Sequence, residues 1–264
     1  MNAISLGDQA VSMGDLLGSN IANVSLVIGA SFVAAQLSGS RGVNIAFTEE
    51  DKKEFKTGLM FLSITLLILL YLEYVGNIVG VLLLVLFGIY SYMLLRKRKE
   101  SASAYLEEAT VRTVRKELAL TLLGILGVII GARFTLESAI EIAALFGIPE
   151  AIIGATLVAF GTSLPELSVD IRAAYGGFLE VAMGDIVGSC FMNTTLLLGL
   201  LLLFTPFQGN ILVLSDLILF SVVSNIMLWY FLDRDDTTSR GGPVLLTIYI
   251  IYLLSLLGIL VLRT

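Results

Sequence analysis

Long apolar runs alternate along this chain with short polar interruptions, and the runs are too extended for the core helices of a soluble domain. Windows of about 19 residues place eight apolar helices, near 16–37, 57–75, 77–95, 117–146, 150–174, 184–204, 211–232 and 243–262. Most reach the ~20 residues that a helix needs to cross a hydrocarbon core. The expected fold class is therefore all-α: a polytopic membrane protein of about eight transmembrane helices, integral to the cell membrane, with the lipid bilayer around it. The fourth run ends in ARFTLESAIEIAALFG, where Glu137 and Glu141 stand one turn apart. That spacing marks a solvated or interfacial face rather than a site.

Composition agrees with the pattern. Of 264 residues, 57% are hydrophobic and 14% charged, and mean hydropathy is +0.94. No basic stretch followed by a short apolar core and a small-residue cleavage site suggests a signal peptide. Loop charges set the orientation. The segments 38–56, 96–116, 175–183 and 233–242, with the adjoining helix ends, hold fourteen Lys and Arg, against Arg133 and Arg263 on the other side. The positive-inside rule makes the first set cytoplasmic and leaves both termini outside. The basic run RKRKESASAYLEEATVRTVRKE is the one polar linker long enough to divide the chain. A single cysteine, Cys190, permits no internal disulfide, and the absence of histidine removes Ser-His-Asp chemistry, the H-E-x-x-H zinc site and His-based proton shuttles. What remains is oxygen chemistry, the ligand set that hard cations prefer. No enzyme activity, cofactor or nucleic-acid partner is implied; an intramembrane enzyme would lack an evident base for its nucleophile.

One stretch concentrates that chemistry. In GATLVAFGTSLPEL, residues 154–167, an apolar run ends in hydroxyls, Pro165 and Glu166. An ionised side chain near the bilayer centre costs ~2.5–3.5 kcal/mol on insertion scales, so an intramembrane Glu marks a functional site. Pro165 removes a backbone donor, which predicts a helix break and freed carbonyls near Gly161 and Thr162. Ser163 and Glu166, three apart, can face one side of a near-helical backbone.

The chain also repeats itself. Ser12–Gly29, SMGDLLGSNIANVSLVIG, aligns without a gap on Ala182–Gly199, AMGDIVGSCFMNTTLLLG. Met13, Gly14, Asp15, Gly18, Ser19, Asn23, Leu26 and Gly29 recur 170 positions later, so the match includes polar residues as well as apolar ones. The two copies open the first and sixth helices, five crossings apart, and so face opposite ways. That is the inverted repeat of secondary transporters, whose site lies near the midplane. Ser19 and Asn23 share one helix face, as do Ser189 and Asn193, and Gly14-x-x-x-Gly18 and Gly184-x-x-x-Gly188 favour close helix approach. The division expected is 1–95 as an incomplete first repeat, 96–116 as a cytoplasmic linker and 117–264 as a complete second repeat, because the helices carrying Glu166 have no counterpart in the first half.

GTSLPEL at 161–167 followed by GDIVGSCFMN at 184–193 resembles the second alpha-repeat of the cation/calcium exchanger superfamily, and GDLLGSNIAN at 14–23 resembles the later part of the first. The resemblance implies an antiporter of ten transmembrane helices with four central oxygen-lined sites and alternating access by sliding of two long helices. It makes Glu166 the second-repeat acidic ligand of the metal site, with Ser163, the Thr162 carbonyl and Ala159 as a further carbonyl donor. Asn193 and Ser189 follow on the next helix, with Asn23 and Ser19 as their first-repeat equivalents. The transported ions would be Ca²⁺, or another divalent cation, against Na⁺ or H⁺.

Three departures qualify the resemblance. The first-repeat G-T-S-x-P-E segment is absent, and with it the second acidic ligand. Asn193 stands where potassium-linked branches carry Asp. Asp170, one turn beyond Glu166, adds a carboxylate to the ion path or pairs with Arg172. A divalent ion beside Glu166 alone would keep about one unit of uncompensated charge. The expectation is therefore that Met1 is not the biological start, with MNAISLGDQAV as the tail of a missing helix and its loop, or that an upstream segment or second chain supplies the acidic helix. The competing reading is a truncated or degenerate exchanger without transport of its own, serving at most as a membrane assembly partner.

Overall fold

The computed structural model describes residues 2–38, 47–71, 76–101, 150–204, 214–234 and 237–263, with isolated helical positions between 123 and 138. The expected helix near 117–146, with Glu137 and Glu141, and most of the 96–116 linker lie outside the described residues. Those described are almost all helical. Among the described residues, four helices are long and apolar enough to cross a membrane: Val11–Leu37, Glu49–Tyr71, Leu179–Phe204 and Thr237–Leu256, with shorter apolar helices at Asn77–Met93 and Ser215–Phe231.

The first crossing is α1 (Asn2–Ile21), a π-helical turn at Ala22–Val27, and α2 (Ile28–Leu37). Its start is earlier than hydropathy suggests. Residues 2–15 continue the helix instead of forming a loop, since neither Gly7 nor the polar Asp8 and Gln9 is enough to stop a helix that has no proline. Next come α3 (Glu49–Tyr71) and α4 (Asn77–Ser101). α3 starts eight residues before its apolar window because Thr48 and Asp51 form a reciprocal cap: Asp51 N–H donates to Thr48 Oγ1 at 3.1 Å, and Thr48 N–H to Asp51 Oδ2 at 3.1 Å. α4 carries helix through 96–101, into the stretch expected as linker.

The second half holds α5 (Glu150–Ile153), a π-turn at Gly154–Val158, α6 (Ala159–Thr162) and α7 (Leu164–Tyr175). α8 (Leu179–Phe191), a π-turn at Met192–Leu197 and α9 (Leu198–Phe204) repeat the first crossing. α10 (Ser215–Phe231), a π-turn at Thr237–Gly241 and α11 (Gly242–Arg263) complete it.

The repeat extends to local geometry and packing. The π-turns at 22–27 and 192–197 lie 170 residues apart, the offset of the sequence match. α1 packs on α10 and α8 on α3; α2 packs on α11 and α9 on α4. Glycine makes both of the latter crossings close. A Cβ on Gly242 would sit 3.0 Å from the Gly29 carbonyl oxygen, and one on Gly80 would sit 2.8 Å from that of Gly199, so two helix backbones meet with no side chain between them. Apolar side chains fill the space on either side, one group around Ile21, Leu66, Leu202 and Tyr252, the other around Phe32, Leu62, Met183 and Leu245.

Candidate cation site

The two π-turns bring the first and sixth crossings together at the centre through a seam of neutral polar groups. Asn20 Nδ2 donates to Thr194 Oγ1 at 2.8 Å, Asn193 Nδ2 to Asn20 Oδ1 at 3.2 Å, and Asn23 Nδ2 to Ser189 Oγ at 3.2 Å. Asn20, Asn23 and Thr194 are buried. A π-turn sets one extra residue into the helix and displaces its ladder, a feature that recurs at functional sites. Here it sits beside Asn23 and Asn193, the amides that the sequence selects.

The stretch carrying Glu166 enters from one side. The Gly154–Val158 turn lies against α1: a Cβ on Gly18 would fall 2.5 Å from the Ala155 carbonyl oxygen, and Gly154 is pressed on the Val11 carbonyl. Tyr252 fixes this turn from behind, donating its hydroxyl to Ala155 O at 2.5 Å. The break expected from Pro165 falls at Ser163, which has φ −89° and ψ 0° and separates α6 from α7, with Pro165 in the first turn of the new helix. Ser163 is 3% exposed. The Ala159 carbonyl accepts from Ser163 N–H at 3.1 Å and from Thr162 Oγ1 at 3.2 Å.

Thr162 and Ser19 converge on a carboxylate that sequence reasoning counted only as a repeat identity. Asp15 Oδ1 accepts from Thr162 Oγ1 at 3.1 Å and from Ser19 Oγ at 3.2 Å, and the two hydroxyls are 3.2 Å apart. The signal was present: an Asp in an apolar helix, recurring as Asp185. Asp185 has no comparable hydrogen bond among the described residues and is exposed. It borders a cleft of about 890 Å³ whose walls, among the described residues, include Glu54, Glu166, Glu180, Ser189 and Asn193 and no Lys or Arg.

The centre is rich in acceptors and short of donors. Glu166 Oε2 and Asn23 Oδ1 are buried without a hydrogen-bond partner among the described residues, as are both oxygens of Asp170, which is fully buried. The expected alternative in which Asp170 pairs with Arg172 does not occur; no ion pair joins them. Asp170 instead lies within electrostatic reach of Asp185 and Glu166. Buried acceptors normally have donors, and a set of orphaned oxygens is what a cation satisfies. Among the described residues no three carboxylates are grouped closely enough to hold an ion by themselves, so hydroxyls, amides and carbonyls would have to complete any coordination. Of the residues singled out from sequence, Glu166, Ser189 and Asn193 line the cleft and Asn23 joins them through Ser189. Ser19 and Thr162 gather instead around Asp15.

The pattern of the family described as sodium/calcium exchanger protein matches residues 2–96 and 116–258. An uncharacterized membrane protein of Methanocaldococcus jannaschii is 32% identical over 251 residues, covering 93% of this chain and 76% of that protein. The sodium/calcium exchanger MaX1 of Methanosarcina acetivorans is 36% identical over 142 residues, 53% of this chain and 41% of its own length. Among solved structures, the sodium-calcium exchanger NCX_Mj soaked with 10 mM Na⁺ and zero Ca²⁺ superposes with a TM-score of 0.70 at 29% identity, over 94% of this chain and 77% of that one.

Proposed function

The chain belongs to the sodium/calcium exchanger family, an integral multi-pass membrane transporter and not an enzyme, and from that premise we propose that it exchanges Ca²⁺, or another divalent cation, for Na⁺ or H⁺ across the plasma membrane. The observation that carries this reading is the group of donorless oxygens on Glu166 and Asn23 at the crossing of the two repeats. Glu166 supplies the charge. Ser163, Ser189, Asn193 and the Thr162 and Ala159 carbonyls supply neutral oxygens, and Asn23 and Ser19 are their counterparts on the other crossing. Asp170 adds a second carboxylate one turn toward the cytoplasmic end of α7, which offsets part of a divalent ion's charge in a low-dielectric site.

Ion-gradient-driven ⁴⁵Ca²⁺ uptake into vesicles tests the assignment. Glu166→Gln keeps the size and removes the charge, and uptake is expected to fall at least about 100-fold, the scale of a lost ~3 kcal/mol charge interaction. Uptake equal to that of the unaltered chain would refute the role of Glu166. Imposing a Na⁺ or a pH gradient separately identifies the co-ion.

A further inference from the structure

Where α1 meets the Gly154–Val158 turn and α6, backbone contact fixes the geometry. A Cβ on Gly18 would meet the Ala155 carbonyl oxygen at 2.5 Å, and one on Gly154 would meet the Asp15 backbone nitrogen at 3.0 Å. With no side chain between the two backbones, the Asp15 carboxylate and the Thr162 hydroxyl are held at a set separation. Asp15 Oδ1 accepts from Thr162 Oγ1 at 3.1 Å and from Ser19 Oγ at 3.2 Å. Both hydroxyls therefore converge on one oxygen of the carboxylate.

Counting protons and lone pairs shows what this convergence does. A hydroxyl has one proton to give and a carbonyl has two lone pairs. Thr162 has a second acceptor in reach, the Ala159 carbonyl at 3.2 Å, which already accepts from Ser163 N–H at 3.1 Å. A Thr162 proton placed there would occupy the lone pair that is left. An ionised carboxylate is the stronger acceptor, since charge-assisted hydrogen bonds are roughly twice as strong as neutral ones, and so Asp15 draws both protons to itself. Ser19 Oγ and Thr162 Oγ1 then face each other at 3.2 Å with no proton between them. Facing lone pairs of that kind are relieved by a hard cation.

We propose that Asp15 is a positioning residue of the cation site: it holds the protons of Ser19 and Thr162 away from the ion, which leaves Ser19 Oγ and the second lone pair of the Ala159 carbonyl open for coordination. Asp15 does not touch the ion. It acts as the outer partner of a ligand does in a metal centre, fixing the orientation in which an inner oxygen is presented. The inference rests on the reading of Ser19 and Ala159 as ligands, and it adds a residue to that site which the pattern of hydroxyls and amides alone does not select. Because both bonds end on the same oxygen, a neutral amide at position 15 can reproduce them, whereas a hydrocarbon side chain cannot.

Equilibrium ⁴⁵Ca²⁺ binding to the purified full chain, with Na⁺ read by its competition, tests this per folded molecule. Asp15→Leu, or Asp15→Ala where the larger side chain prevents folding, should weaken binding by about 10- to 100-fold, the usual effect of removing an outer partner. Asp15→Asn should restore affinity to within about threefold of the unaltered chain, since it keeps one accepting oxygen and loses only the charge assistance. Thr162→Val removes the proton that would otherwise block Ala159, so in that background the effect of Asp15→Leu should shrink at least about threefold, the non-additivity of groups that act together. Unchanged affinity in Asp15→Leu, an Asn variant as weak as the Leu one, or an equal effect of Asp15→Leu with and without Thr162→Val each overturns the proposal. Glu166→Gln separates the two readings. If it abolishes binding while Asp15→Leu does not alter it, the site stands and the role of Asp15 falls; if the unaltered chain binds neither ion, both fall.

Discussion

The first crossing, Val11–Leu37, buries 78% of its most apolar window inside the protein, whereas Leu179–Phe204 buries 50%, although the two share their glycines, their Asp and their Ser-Asn pair. The difference teaches that the motif does not determine its own surroundings. Gly18 is indispensable because Ala155 lies on it; Gly188 has the same sequence context and, among the described residues, an open flank. Asp15 receives two hydroxyls and, among the described residues, Asp185 none. A small-residue face is half of a contact, and its energetic weight appears only when the other half is in place.

Mutations that treat the two crossings alike should give unlike results. The largest divergence is expected from leucine at the glycines. Gly18→Leu forces a side chain into the Ala155 backbone and should cost about 3 kcal/mol or more, whereas Gly188→Leu should stay within about 0.5 kcal/mol. Thermal unfolding of both in one detergent measures this, and equal losses would break the comparison. Tyr252→Phe sharpens it next. Loss of the hydroxyl to Ala155 O should lower stability by about 1.5 kcal/mol and loosen only the turn packed on α1, visible as faster hydrogen exchange at 154–159 than at 192–197. The smallest effect belongs to the carboxylates. Thr162→Val removes a donor to Asp15 and should cost about 1 kcal/mol, while Asp185→Asn, with no hydroxyl partner to lose, should change stability by less than about 0.5 kcal/mol.

Much of this arrangement was legible in the sequence. The membrane class follows from hydropathy, the repeat from Met13 through Gly29 and their counterparts, and the break at Ser163 from Pro165. Other features depend on tertiary packing and leave little local trace. Neither ANVSLV nor MNTTLL announces a π-turn, because the extra residue is stabilised by bonds such as Asn20 to Thr194 that link positions 174 apart in sequence. The start of α3 was marked by Thr48 and Asp51, but a hydropathy window reads transfer energy and overlooks a cap. Asp15 was visible as a repeat identity; its role required knowing that Thr162 arrives beside it. The contrast between Gly18 and Gly188 was invisible altogether, since it concerns what faces each glycine and not the glycine itself.

The seam between the repeats has one further consequence. Asn20, Asn23, Ser189, Asn193 and Thr194 carry amides and hydroxyls that neither gain nor lose a proton across the physiological range, and the chain contains no histidine. The junction holding the two halves in register is thus electrically silent, blind to acidity and to membrane voltage alike. A response to pH or potential in this protein would originate in its charged side chains, the central carboxylates among them, and in bound ions, with the joint itself serving as a fixed reference against which those charges move.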